Sequence, residues 1–90
     1  MITAESVPVL RRGIRRKFDA TRNAHVLLGP ERVIVLDDIA AAITELVDGG
    51  NSVARIAGVW AERFAEDAAL VETDVTEFVR NLVEKGLATA

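Results

Sequence analysis

The sequence predicts an α+β domain of the winged helix-turn-helix type, in which a three-stranded antiparallel sheet is followed by three helices. Strand-like patterns occupy the first part of the chain, and helix-like patterns occupy the rest. A Gly-Pro pair between two short apolar runs marks a β-hairpin. Strands that precede helices are typical of domains whose helices cover one face of a small sheet. Ninety residues are sufficient for one such domain.

The strands are predicted between residues 14 and 36. Apolar and basic side chains alternate from Ile14 to Phe18, which indicates a short, half-buried strand. The runs 26–28 (VLL) and 33–36 (VIVL) lie on either side of Gly29-Pro30-Glu31. Proline fixes φ and has no N–H to donate to a ladder, so both strands must end at this turn.

Each predicted helix begins at a residue that can cap it. The candidate caps are Asp37 or Asp38, Ser52 and Asp67, and glycines that end helices follow at Gly49-Gly50 and Gly86. Apolar residues recur at helical spacing after each cap. The inward positions are Ile39, Ile43, Leu46 and Val47, then Val53, Ile56, Ala57, Trp60 and Phe64, then Val71, Val75, Phe78, Val79 and Leu82.

Residues 1–10 show no periodicity and contain Pro8, so we expect a flexible N-terminal arm. The predicted domain is then residues 11–90. There is no cysteine, and no apolar run approaches the length of about 18 residues that a membrane span needs. The first ten residues also lack the features of a signal peptide. These observations predict a cytoplasmic protein.

Catalysis is not expected. Ser6 lies in the arm, Ser52 is explained as a helix cap, and His25 is the single histidine. Nucleophilic catalysis needs a nucleophile, a base and an orienting group, and a zinc site needs three or four ligands. Capping also accounts for Asp37-Asp38. The sequence therefore predicts neither an enzyme nor a metal or cofactor site.

The net charge is −3, and the charged residues are unevenly distributed along the chain. Basic residues dominate between residues 11 and 22, whereas acidic residues dominate between 37 and 85. The third helix, which would enter the major groove in a DNA-binding winged helix, carries four acids and no base in its N-terminal half. A DNA-binding regulator that uses the basic stretch 11–17 as a wing remains an alternative.

Recognition of another polypeptide is the remaining class of function. The run Val33-Ile34-Val35-Leu36 contains neither the charge nor the proline that protects an exposed sheet edge. At an edge, it could accept an extended peptide as a further strand. The pattern does not decide between an edge strand and a buried central strand. An open edge could also pair with a second copy, so a self-associating structural module is another alternative.

Three segments of the chain resemble the PqqD family of pyrroloquinoline quinone biosynthesis. They are VLLGPERVIVLDDIAAAI (26–43), ELVDGGNSVARIA (45–57) and DVTEFVRNLVEKGL (74–87). The specific features are the Leu-Leu-x-Pro-Glu hairpin, the helix that ends in Asp-Gly before a Ser-Val restart, and the late Asp-Val-x-x-Phe. The resemblance covers about residues 8–87. Asp37 stands where the family more often has asparagine, and both residues can cap a helix.

The resemblance implies a winged-helix-like peptide-recognition domain without catalytic activity of its own. Such proteins are chaperones that bind the precursor peptide PqqA and deliver it to PqqE, a radical S-adenosylmethionine enzyme. In related domains the peptide adds to the third strand of the sheet, which corresponds here to residues 32–36. The peptide then lies in the groove toward the third helix. Which side of that helix lines the groove is left open. The implied peptide-binding residues are Arg32, Val33, Ile34, Val35, Leu36, Val71, Asp74, Val75 and Phe78.

Overall fold

The computed structural model describes all 90 residues and confirms the predicted fold class. Three helices follow a three-stranded antiparallel sheet, and a pair of two-residue strands joins the two ends of the chain. In chain order the elements are β1 (Val9–Leu10), β2 (Arg15–Asp19), β3 (Ala24–Gly29), β4 (Arg32–Leu36), α1 (Asp38–Glu45), α2 (Val53–Phe64), α3 (Ala68–Glu84) and β5 (Ala88–Thr89).

The larger sheet has the order β2-β3-β4, so β3 is central and β4 lies at an edge. The hairpin between β3 and β4 has a two-residue turn, since Gly29 pairs with Arg32. Pro30 supplies the fixed φ of the first turn position, and Glu31 follows at a φ of 61°. The predicted hairpin is therefore present, and its turn lies where proline prevents further pairing.

The three helices begin at the predicted caps. The side chain of Asp37 accepts from the N–H of Ala40, and that of Ser52 accepts from the N–H of Arg55. Asp67 accepts from the N–H groups of Ala69 and Leu70 in α3 in the same way. Each cap satisfies a backbone donor that has no partner within its own helix. These three caps fix the beginning of every helix.

The expectation of a loose arm is corrected by the packing of residues 1–10. The carbonyls of Ala4 and Ser6 accept hydrogen bonds from the first two N–H groups of α2, at 2.9 and 2.8 Å. Pro8 is buried, and β1 pairs with β5. The physical reason is that the first turn of a helix leaves its N–H groups without intrahelical partners, and the N-terminal segment supplies the acceptors.

The apolar core has two clusters. One lies among the three helices and includes Val53, Ile56 and Val75, all with no more than 1% of their surface exposed. The other lies between the sheet, α3 and the C-terminal strand, and it includes Leu27 and Leu87. Partly buried side chains touch both clusters; they are Leu10, Phe78 and Val83. None of the three helices combines the length and the apolar character needed to cross a membrane.

Candidate functional site

The candidate site begins at the free edge of β4. Gly29 and Arg32 pair across the turn, and pairs that exchange hydrogen bonds alternate with pairs that do not in an antiparallel ladder. Counting from the turn, Arg32, Ile34 and Leu36 use their backbone groups toward β3. The N–H and C=O groups of Val33 and Val35 therefore point to the free edge, where the chain itself has no further strand.

The side chains of β4 alternate between the helices and solvent. Leu36 is buried and Ile34 is half-buried, and both pack in the cluster beneath the sheet. Val33 and Val35 are exposed on the other face, with 47% and 58% of their surface accessible. No charge or proline interrupts the strand after Arg32, so the edge lacks the usual protection against pairing with another chain.

A groove of about 360 Å³ lies between α1 and α3 beyond the end of β4. Its wall on α1 is apolar, and its wall on α3 combines the aromatic ring of Phe78 with acidic and amide groups. Ile39 is exposed here, whereas Ile43 is buried and forms part of the floor. The lining residues are Asp37, Ile39, Ala40, Ile43, Asp74, Glu77, Phe78 and Asn81.

The groove lies next to the end of β4. The guanidinium of Arg32, at the start of β4, donates to the carbonyl of Lys85 at the C-terminal end of α3, with 2.6 Å between the two atoms. At the other end of β4, Asp37 lines the groove together with Asp74 and Phe78. The strand therefore runs alongside the C-terminal half of α3. An extended chain placed against β4 would end beside Asp37, at one side of the groove.

The structure brings together most, but not all, of the residues implied for peptide binding. The five residues of β4 form the edge, and Asp74 and Phe78 line the groove. Val71 and Val75 do not reach this surface, because they are buried against α2 with 2% and 0% exposure. Their inclusion among the binding residues is corrected. Helical spacing already indicated that both side chains face inward. A side chain that packs in the core is not available to line a groove.

Sequence reasoning missed the wall that α1 contributes. Ile39 was assigned only to the apolar stripe of the first helix, Asp37 was assigned only to its cap, and Ala40 was given no role. The available signal was the position of this helix directly after β4, which requires its first turn to lie at the end of the sheet edge. Ile39, with 55% of its surface exposed, is the apolar residue that the core does not use.

The groups considered for catalysis are engaged elsewhere. Ser52 and Asp37 cap helices, as expected. His25 lies with its Nδ1 atom 3.3 Å from Nη1 of Arg16, and its ring makes an edge contact with Phe18 at 5.1 Å between centroids. No three metal-ligating side chains cluster anywhere in the chain. The arrangement presents backbone groups and apolar surface, which is suited to holding a peptide.

The surface charges of α3 match the sequence reasoning. Asp74 and Glu77 are exposed on this helix and take part in no ion pair. A phosphate backbone would meet uncompensated carboxylates there. The helix that a DNA-binding winged helix inserts into the major groove is thus unsuited to that role here.

Comparisons with known proteins identify a single family. The model for "Coenzyme PQQ synthesis protein D (PqqD)" matches residues 24–88. The "PqqA binding protein" of Xanthomonas oryzae pv. oryzae is 46% identical over 86 residues, which cover 96% of this chain and 94% of that protein. The "Bifunctional coenzyme PQQ synthesis protein C/D" of Methylorubrum extorquens is 43% identical over 83 residues. The chain spans only 22% of the length of this bifunctional relative.

Two solved structures share the fold. The solution structure of the PqqD truncation of Methylobacterium extorquens PqqCD, described as a stand-alone recognition element for ribosomally synthesised, modified peptides, is 40% identical and superposes with a TM-score of 0.86. The alignment covers 100% of this chain and 96% of that one. The crystal structure of PqqD from Xanthomonas campestris is 45% identical, with a TM-score of 0.60 and 97% coverage of both chains.

Proposed function

Because the chain belongs to the PqqD family, we propose that it is a non-catalytic chaperone of pyrroloquinoline quinone biosynthesis that binds the precursor peptide PqqA. We further propose that it presents this peptide to the radical S-adenosylmethionine enzyme PqqE. The names of its relatives support the peptide as a partner, and the family resemblance supports the enzyme. Both partners would meet it in the cytoplasm, where the peptide is synthesised.

The free edge of β4 is the observation that carries the proposal. An extended segment of the peptide would add there as a fourth strand and bond to the outward backbone groups of Val33 and Val35. These four groups allow four hydrogen bonds, each with a net value of about 1 kcal/mol. That sum does not offset the costs of association and of ordering the peptide.

The groove between α1 and α3 supplies the additional affinity. Ile39 and Phe78 offer apolar surface where the strand leads into the groove, so the peptide would place apolar side chains there. Burying one aliphatic side chain contributes about 1.5–3 kcal/mol. Two anchors of this kind would contribute about 3–6 kcal/mol in addition to the strand pairing.

A proline at Val35 tests the strand addition directly. The N–H of this residue points away from β3, so Val35→Pro removes a donor from the free edge and leaves the β3–β4 ladder intact. The loss of one bond and the steric block should weaken PqqA binding by about tenfold or more. The measurement is a titration of isotope-labelled protein with PqqA, followed by amide chemical shifts.

Phe18→Pro is the matched control. By the same alternation of pairs, Phe18 has an outward N–H on β2, at the opposite edge of the sheet. We expect this variant to bind PqqA like the wild type. If folded Val35→Pro protein bound PqqA with unchanged affinity, or if the shifts lay on α2 instead of β4, strand addition at this edge would be wrong. A doubling of mass at high concentration without peptide would favour self-association.

A further inference from the structure

A cavity of about 440 Å³ opens at the hairpin end of β4, at the opposite end of that strand from the groove between α1 and α3. We name it the hairpin pocket. It is lined by Arg15 of β2, Leu28 of β3, Arg32 and Val33 of β4, and Glu31 of the turn, and two glycines complete it. Because Val33 also presents outward backbone groups, the pocket lies beside the edge to which the peptide would add.

The strand register determines which side chains face the pocket. Arg15 pairs with Leu28, and Leu28 pairs with Val33, so the three residues form one row across the sheet. Side chains directly opposite each other lie on the same face, and the exposed side chain of Val33 places this row on the face away from the helices. A peptide residue that pairs with Val33 would extend the row and point its side chain toward the pocket.

The charges of the pocket leave one guanidinium available. Arg15 is exposed and takes part in neither ion pair of the structure. Arg32 alternates to the other face, where its Nη1 atom donates to the carbonyl of Lys85. Glu31 is the one carboxylate in the lining, and it pairs with neither arginine. A guanidinium has five N–H donors, so Arg15 can bind a carboxylate that the chain itself does not supply.

From this arrangement we infer that the hairpin pocket is a subsite for an acidic side chain of the bound peptide, whose carboxylate Arg15 binds. The inference rests on the proposed function, because the side chain belongs to the peptide that adds to β4. Leu28 and Val33 would contact the methylene groups of that side chain. Since β3 and β4 separate the peptide from β2, the longer glutamate is favoured over aspartate.

The subsite would fix the register of the added strand. Backbone hydrogen bonds form with any sequence, and a slip by one residue would turn every peptide side chain to the other face of the sheet. A charge-assisted bond to Arg15 favours the register in which the acidic residue lies opposite Val33. The pocket would therefore select one alignment of the peptide among several that the strand edge alone allows.

Substitutions of opposite charge in the pocket provide the test. Arg15→Gln should weaken PqqA binding about fivefold at low salt, because the carboxylate loses its partner. Glu31→Gln should strengthen binding about twofold, because it removes the carboxylate that competes for Arg15. Lys17→Gln is the matched control, since it removes one positive charge from the same face of β2 but does not line the pocket, and it should leave the affinity nearly unchanged. Calorimetric titration with PqqA measures all four proteins.

The peptide side of the contact is located by a double-mutant cycle. Each acidic residue of PqqA in turn is replaced by its amide counterpart, and a further peptide carries an amidated C-terminus. One side-chain replacement should weaken binding to the wild type about fivefold and leave binding to Arg15→Gln unchanged. The subsite would be wrong if no replacement depended on Arg15, if only the amidated C-terminus did, or if Lys17→Gln weakened binding as much as Arg15→Gln.

A small probe separates this inference from the proposed function. N-acetylglutamate methylamide at millimolar concentration should shift the Nε–H resonance of Arg15 and not that of the exposed Arg55 on α2, whereas the N-acetylglutamine analogue should shift neither. If this pattern appeared while PqqA did not bind, only the proposed function would fail. If PqqA bound to Arg15→Gln as tightly as to the wild type, only the inference would fail, whatever the probe showed. If neither PqqA nor the probe bound, both would fail.

Discussion

Single residues determine how the turns of the sheet are held, and the turn after β2 is the clearest case. One carboxylate oxygen of Asp19 accepts from the backbone N–H groups of Thr21 and Arg22, and the other accepts from the Arg22 guanidinium. The hydrogen bond from the Arg22 side chain is the largest contribution that lowers the pKa of Asp19 below its ordinary value of 3.8. Hydrogen bonds to the charged form favour that form.

The lowered pKa of Asp19 predicts a stability contribution that depends on pH. A carboxyl whose pKa is lower in the folded state stabilises the fold above the unfolded value, and this contribution is lost as the pH falls through the folded pKa. An NMR titration should give a pKa below 3.8 for Asp19, and Arg22→Gln should return it toward 3.8. Arg32→Gln is the control, because Arg32 bonds to the end of α3 instead. An unchanged pKa in Arg22→Gln would show that the ion pair is not formed in solution.

At the scale of elements, the sequence predicted the features that local physics determines. Asp37, Ser52 and Asp67 cap their helices as expected, because a cap depends only on the residues of the first helical turn. The hairpin was predicted because Gly29-Pro30 separates two apolar runs, and its turn was placed there because proline has no N–H for a ladder. In contrast, β1 and β5 have two residues each and pair across almost the whole chain, so neither has a detectable period.

The candidate site was predictable only in part for the same reason. The edge strand could be identified as unprotected, but its place at the edge depends on the order of all three strands. Which side of α3 lines the groove is decided by how α2 packs against it, since α2 buries Val71 and Val75 and leaves Asp74 and Phe78 to the groove. No short stretch of sequence shows how these two helices pack against each other.

The end of α2 allows a prediction at the scale of one element. Ala65 follows the helix at a φ of 52°, in the left-handed region where an L-residue with a Cβ is disfavoured. Ala65→Gly should therefore raise the free energy of unfolding by about 1 kcal/mol.

Gly86 ends α3 at a φ of 73°, and a Cβ there would meet no atom within 4 Å. Gly86→Ala should accordingly lower stability by about 1 kcal/mol through backbone conformation alone. Urea unfolding measures the change in unfolding free energy for both variants. Changes of the same sign would contradict this explanation.

At the scale of the whole molecule, the two core clusters are joined by few side chains, and Leu10 is one of them. It lies on β1, which the pairing with β5 holds against the C-terminus, and it contacts both clusters. The N-terminal segment is thus part of the structure that connects the sheet to the helices. We therefore expect the sheet and the helices to unfold as one cooperative unit. A substitution that weakens the contact of the N-terminal segment should then destabilise both clusters.

Leu10→Ala tests this connection. Because Leu10 is only half-buried, the expected loss of unfolding free energy is about 2 kcal/mol, at the low end for a leucine in a core. Val9→Ala is the control: Val9 is exposed on the same strand, and its loss should change stability by no more than about 0.5 kcal/mol. Hydrogen exchange should show that Leu10→Ala lowers protection equally at Leu27 in the sheet and at Ile56 in α2. If only amides near β5 exchanged faster, the N-terminal segment would be an independent unit, and the two clusters would have to be coupled through Phe78 and Val83 instead.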